Sequence, residues 1–117
     1  MKIIDAHQHF WNLDQNYLPW LKDEPPIPFR YGDYSSLKRN YLPADYRGDS
    51  AGFDIVGTVF VETEWDHTDP KGEVAWVEAL QRAEGLPSVM VAQAWLDRAD
   101  AEDVLVSHGR SPIVRGI

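Results

Sequence analysis

Two histidines one residue apart, His7 and His9 in the stretch Asp5-Ala6-His7-Gln8-His9, are the residues of this 117-residue chain best suited to chemistry. Side chains alternate across an extended strand, so Asp5, His7 and His9 are expected on one face, where two imidazoles can reach one ion. The chain contains no cysteine. A resident metal would therefore rely on imidazole nitrogen and carboxylate oxygen, a donor set that suits zinc better than calcium or magnesium. His-x-His is a weak motif alone, since two polar histidines closing a strand read the same way. Its position where a strand ends favours the ligand reading. Asp5 is a candidate partner for a ligating ring, because such rings commonly donate their second N–H to a carboxylate or carbonyl. Plain strand-end polarity explains it equally well.

The elements that must carry these residues can be read from hydrophobic pattern and breakers. Residues 2–8, apolar at Ile3 and Ile4 and free of Gly and Pro, predict a first strand. From about 10 to 42 the pattern dissolves into aromatics and prolines, among them Trp11, Tyr17, Trp20, Pro25, Pro26, Pro28, Phe29, Tyr31 and Tyr34. An ordered loop of that length is usually functional or covers something. Pro43 opens a short helix that Gly52 stops. The run from Ile55 to Glu62 predicts a strand buried on both faces. Asp69 and Pro70 then begin a helix with Val74, Val77 and Leu80 on its apolar stripe, Trp76 beside them, and Gly85 as terminator. Ser88 to Leu96 predicts a third doubly buried strand. Asp100 to His108 predicts a helix packing through Ala101, Val104 and Leu105, and a fourth strand starts at Pro112. Alternation of this kind gives an α/β fold with parallel strands. Length favours an open sheet over a closed (β/α)₈ barrel, which needs about 250 residues. The glycine-rich phosphate loops that usually accompany open sheets are missing.

Composition narrows the partners. Lys and Arg number 11 against 19 Asp and Glu, a formal charge of −8, and that field repels polyanions. Nucleic acid and anionic membranes are thus poor partners. No apolar run approaches the roughly 20 residues of a membrane span, and no basic stretch followed by an apolar one opens the chain, so a cytoplasmic location is expected. With 44% hydrophobic residues there is enough to build a core.

Several motifs together carry a resemblance. Ile4-Asp5-Ala6-His7-Gln8-His9-Phe10-Trp11, Tyr17-Leu18-Pro19-Trp20-Leu21, Gly57-Thr58-Val59-Phe60-Val61-Glu62 and Val114-Arg115-Gly116-Ile117 resemble the amidohydrolase-related (amidohydrolase 2) branch of the amidohydrolase superfamily, nearest to sugar-lactone hydrolases of the L-fuconolactonase and L-rhamnonolactonase type. The resemblance runs over essentially the whole chain. It implies the N-terminal part of a (β/α)₈ TIM barrel, about four strands with intervening helices, with His7 and His9 matching two metal ligands at the end of the first barrel strand. It implies a divalent metal, zinc first, and a small lactone or cyclic ester as substrate. Some relatives of that branch work without a tightly bound metal, in which case the two rings would orient substrate. The family's further ligands, histidines of the fifth and sixth strands and an aspartate of the eighth, have no counterpart here, and His67 and His108 do not replace them by position. The chain is therefore expected to be the N-terminal portion of such an enzyme and inactive by itself. The competing expectation is a non-catalytic α/β module that binds a metal or partner through His7 and His9 and forms homo-oligomers through open strand edges.

Other residues fall in place around this pair. Glu62 and Glu64, at the end of the second strand, are candidates for the site mouth, or solvated acids where a strand meets its loop. Gln93 and Trp95 are expected on one face near the end of the third strand, where a sugar-like ring could stack and bond; core packing explains Trp95 too. Arg115, in an apolar fourth strand, is expected either paired inside a barrel or binding an anionic or carbonyl group. Trp11 and Trp20 flank the aromatic loop as a substrate wall or as loop packing. His67 is expected at the surface, and His108 beside the negative end of its helix.

Overall fold

The computed structural model describes residues 1–28 and 32–117, which leaves Phe29 and Tyr31 of the aromatic loop outside the described residues. The chain runs β1 (Lys2–Gln8), α1 (Pro19–Lys22), a 3-10 turn (Ser35–Leu37), α2 (Pro43–Asp49), β2 (Asp54–Val61), α3 (Pro70–Glu84), β3 (Val89–Val91), α4 (Ala101–His108) and β4 (Val114–Gly116). The four strands form one parallel sheet in the order β1-β2-β3-β4, so each helical crossover leads to the neighbouring strand. This is the α/β alternation that the sequence predicts. No helix among the described residues is long and apolar enough to cross a membrane.

The main core lies between the sheet and its helices. Phe10, Phe60, Met90 and Ile113 come from or beside the strands, and Tyr46, Val74 and Val77 from α2 and α3. Phe60 and Val77 are fully shielded from solvent. α3 forms where its ends are specified. The Asp69 carboxylate accepts from the Gly72 N–H, Pro70 occupies the first turn, and Gly85 closes the helix in the left-handed conformation, φ 75°. A side chain at Gly72 would collide with that capping carboxylate, which ties the glycine to the cap.

The long segment after β1 is not structureless. It contains α1 and the 3-10 turn, and it builds a second core from Trp11, Leu18, Leu21, Tyr34 and Trp65. Its start and end are held together by paired backbone bonds between Trp11 and Tyr41, each 3.0 Å.

Three expectations change. β2 is not buried on both faces: Thr58 and Phe60 are buried, whereas Val56 is 51% exposed, as is Ile4 of β1 at 66%. A β-branched run reports strand propensity, and the helices among the described residues cover only one side of this sheet. β3 ends at Val91 rather than continuing to Leu96, because its neighbours end there: Val61 of β2 and Gly116 of β4 are the partners of Val91. In α4 the buried positions are Val104 and His108, while Leu105 turns to solvent.

Candidate functional site

The site begins with an irregularity in β1. Asp5 pairs with Thr58 and Gln8 with Phe60, so three steps along β1 match two along β2. One extra residue in a strand breaks the face alternation, as a bulge does. Asp5 accordingly parts from the histidines. Its carboxylate accepts from the Tyr46 hydroxyl of α2, 2.9 Å, and from the backbone N–H of His7, 3.1 Å. The expectation that it bonds a ligating imidazole is thus corrected: it braces the bulge against α2. Burial first, and the Asp5 carboxylate second, push the Tyr46 phenol up to about 12.

The bulge brings the two rings together. His7 Nε2 and His9 Nε2 are 3.2 Å apart, with ring planes inclined at 74°. His9 is oriented from behind, its Nδ1–H donating to the Val61 carbonyl over 2.8 Å. That bond fixes the tautomer and leaves Nε2 as the bare nitrogen. Burial lowers the His9 pKa below its ordinary 6.5; the Val61 carbonyl pulls it upward, and His7 adds to the lowering. His9 is therefore neutral at pH 7, the form that can bind a metal. Without a metal the 3.2 Å approach is a bond that His7 Nε2–H donates to His9.

Around the rings lies an open cleft of about 540 Å³ lined by His7, His9, Trp11, Trp20, Leu37, Val61, Glu62, Thr63 and Glu64. The indoles form its wall, 6.0 Å apart and edge to face, and each is fixed by a backbone carbonyl. Trp11 Nε1 donates to Arg39, 2.7 Å, and Trp20 Nε1 to Thr63, 2.8 Å. Glu62 and Glu64 supply the acids. The Glu62 carboxylate accepts from the Glu64 N–H, 2.7 Å, and Glu64 holds a positive φ of 51°, a sparsely populated backbone region of the sort that gathers at functional sites.

The remaining predicted residues are placed differently from one another. Gln93 is buried and reaches Glu62 Oε2 at 3.4 Å and the Trp65 carbonyl at 3.3 Å, so it stands behind the cleft. Trp95 does not share its face: it lies beyond β3, half exposed, against the ring of His67 at 5.4 Å. Arg115 is exposed on β4, donates to the carbonyl of its neighbour Val114 at 2.8 Å, and does not line the cleft. His108, in the last turn of α4, is buried, its Nε2–H bonded to the Gln93 carbonyl over 2.9 Å.

Pattern reading passes over Thr63 and Glu73. Glu73 of α3 is completely buried, and its Oε1 accepts from both the N–H of Thr63, 2.9 Å, and its hydroxyl, 2.7 Å. The signal is there in the helix period: Glu73 stands four residues before Val77, on the apolar stripe.

Whether these groups suit a metal can be tested on distance. Two nitrogens each about 2.0–2.1 Å from a tetrahedral zinc are roughly 3.3 Å apart. The 3.2 Å between the ring nitrogens meets that requirement. Among the described residues no cluster of three or more His, Asp or Glu could hold a metal, so a metal on this pair would find two of the four ligands of a tetrahedral shell here.

Comparison with known proteins bears on the fold. No protein-family model matches the chain. In structure it is similar to Amidohydrolase 2 from Bifidobacterium longum subsp. infantis, TM-score 0.61 and 26% identity, over 82% of this chain and 34% of that one. The likeness supports the amidohydrolase family. The four parallel strands and their helices match the N-terminal part of that neighbour's TIM barrel. In sequence the chain is 35% identical over 115 residues to the uncharacterized protein y4mH of Sinorhizobium fredii (strain NBRC 101917 / NGR234), 98% of this chain and 38% of that protein. The chain thus spans little more than a third of the length of either.

Proposed function

We propose that this chain carries part of the catalytic site of an amidohydrolase-type hydrolase whose substrate is a small lactone or related cyclic ester. The observation that carries the reading is the 3.2 Å approach of two Nε2 atoms at the open end of β1, within a cleft. His7 and His9 would hold a divalent metal, zinc by donor chemistry. Bound there, such a metal would supply Lewis-acid polarisation of the ester carbonyl and a water nucleophile near neutral pH.

The chain's own groups do the rest. Val61 keeps the His9 proton on Nδ1, so that Nε2 stays a donor of electrons. Trp11 and Trp20 give a ring a flat apolar surface to lie on. Glu62 and Glu64 accept hydroxyl hydrogens at the mouth, and Gln93 steadies Glu62 from behind. Arg115 has no part in this version of the site. With two protein ligands the chain alone should hold metal loosely and turn over nothing, since catalytic zinc usually has three protein ligands and an open position.

The test compares zinc content and lactone hydrolysis for the 117-residue chain and for a longer chain carrying the strands that complete a barrel. Activity in the longer chain alone supports the reading. Hydrolysis by the short chain, or unchanged metal content in a His7→Ala, His9→Ala variant of the longer one, overturns it.

A second reading rests on exposure. β1 and β4 are edge strands, and Ile4 and Val56 are more than half exposed on the uncovered side. Such surfaces favour association. A non-catalytic module that pairs through these edges would sediment as a homo-oligomer and bind zinc without hydrolysing any ester.

A further inference from the structure

The segment that carries the acids of the cleft, residues 62–65, is held at its ends by the bond from the Glu62 N–H to the Val91 carbonyl and by Gln93, and at its middle by Thr63. Thr63 is buried, and both its N–H and its hydroxyl donate to a single oxygen, Oε1 of Glu73 in the first turn of α3. On the cleft side the Thr63 carbonyl accepts from Trp20 Nε1, 2.8 Å. On either side in sequence stand Glu62 and Glu64, joined by the 2.7 Å bond from the Glu64 N–H, with the Glu64 backbone in the left-handed region. A residue there at positive φ persists only when its surroundings over-determine it. A buried acid is also a costly anchor. An apolar side chain of similar volume would pack between α3 and the sheet without the desolvation penalty. Oε2 is buried without a hydrogen-bond partner among the described residues, so the hydrogen bonds of this carboxyl are those Oε1 accepts from Thr63.

We infer that Glu73 is a positioning residue for the cleft: through Thr63 it sets the place of the Trp20 indole on one side and of Glu62 and Glu64 on the other. The inference rests on reading the cleft as a substrate site, and it assigns to α3 a role in the site's shape that no lining residue performs. Glu73 touches no ligand itself. It acts along a chain of three groups, carboxyl to Thr63 to indole, so that a change at α3 is felt at the wall of the cleft.

The experiment uses the whole chain with 5-fluorotryptophan in place of its 5 tryptophans, the Trp20 line being assigned by Trp20→Phe. Glu73→Gln keeps an oxygen acceptor for Thr63. Glu73→Leu removes it. The expected result is a Trp20 fluorine line displaced by more than its width in Glu73→Leu, unmoved in Glu73→Gln, with the exposed Trp95 line unmoved in both. A Trp20 line that stays put in Glu73→Leu, or moves equally in both variants, overturns the inference. Thr63→Val, which deletes only the hydroxyl bond, covers the case in which Glu73→Leu fails to fold. It should move the Trp20 line in the same direction and by less, and no movement counts against the proposal. Zinc titration of the same samples reads the other question separately. Failure of the unsubstituted chain to bind zinc would remove the metal reading of His7 and His9 while the Trp20 result still judges Glu73.

Discussion

His9, the residue just past β1, is held by Val61 on β2: the ring Nδ1–H donates to the Val61 carbonyl over 2.8 Å, and the opposite nitrogen faces His7. The end of β2 thus aims the candidate ligand that follows β1, and the bond sets its tautomer. His9→Gln, which can keep an N–H toward Val61 but places no ring nitrogen at the same point, should fold normally and lose at least a factor of ten in zinc affinity. A metal titration against unsubstituted protein checks this, and unchanged affinity would remove His9 from the site.

Glu73 gives the stability of the chain a pH dependence with a definite sign. Burial raises its pKa from 4.5 to about 7, against the lowering effect of the two Thr63 bonds. The folded state therefore holds a proton that the unfolded chain releases between those values. Stability from this group is complete below about pH 4.5 and is lost as pH rises to about 7, with a slope approaching 1.4 kcal/mol per pH unit and a total near 3 kcal/mol. Urea unfolding at several pH values should show this fall in the native chain and its absence in Glu73→Gln. Parallel curves for the two proteins would contradict it.

Tyr46 ties α2 to the bulge of β1 through the Asp5 carboxylate, 2.9 Å. Tyr46→Phe should cost about 1 kcal/mol in urea unfolding, the usual net value of one hydrogen bond. Because Asp5 steers the His7 backbone as well, zinc affinity should fall along with stability. A variant that loses stability but binds zinc as before would show that the bulge stands without its brace.

Phe60 sits at the centre of the main core with no exposed surface, among Phe10, Val77 and Met90. Phe60→Ala should destabilise by about 3–5 kcal/mol. Leu105→Ala, at a position expected inside but found on the surface, should cost less than 1 kcal/mol. Equal losses for the two would contradict the observed packing of α4.

The sequence carried the alternation of strands and helices plainly, because each run had its own period and its own stop: Gly85 after α3, Asp69 before it. It also put His7 and His9 on one face, and their ring nitrogens lie 3.2 Å apart. What it could not carry was register. The extra residue between Asp5 and Gln8 is a property of the pairing with β2, so Asp5 was expected beside the rings and stands against Tyr46 instead. Trp95 and Leu96 have the composition of a strand, but strand β3 stops where its neighbours stop. Arg115 has the look of a buried charge, yet lies outside on β4. Glu73 was visible only as an acid out of place on an apolar stripe; its meaning comes from Thr63, ten residues away, which no helix period reports.

The central claim is that His7 and His9 bind one metal ion between them. Isothermal titration of the 117-residue chain with zinc, beside His7→Ala and His9→Ala, tests it most directly. The account predicts one loosely held zinc per chain, with each single substitution weakening binding at least tenfold and the double substitution abolishing it. Stoichiometric binding that survives both substitutions would place the metal elsewhere and contradict the claim.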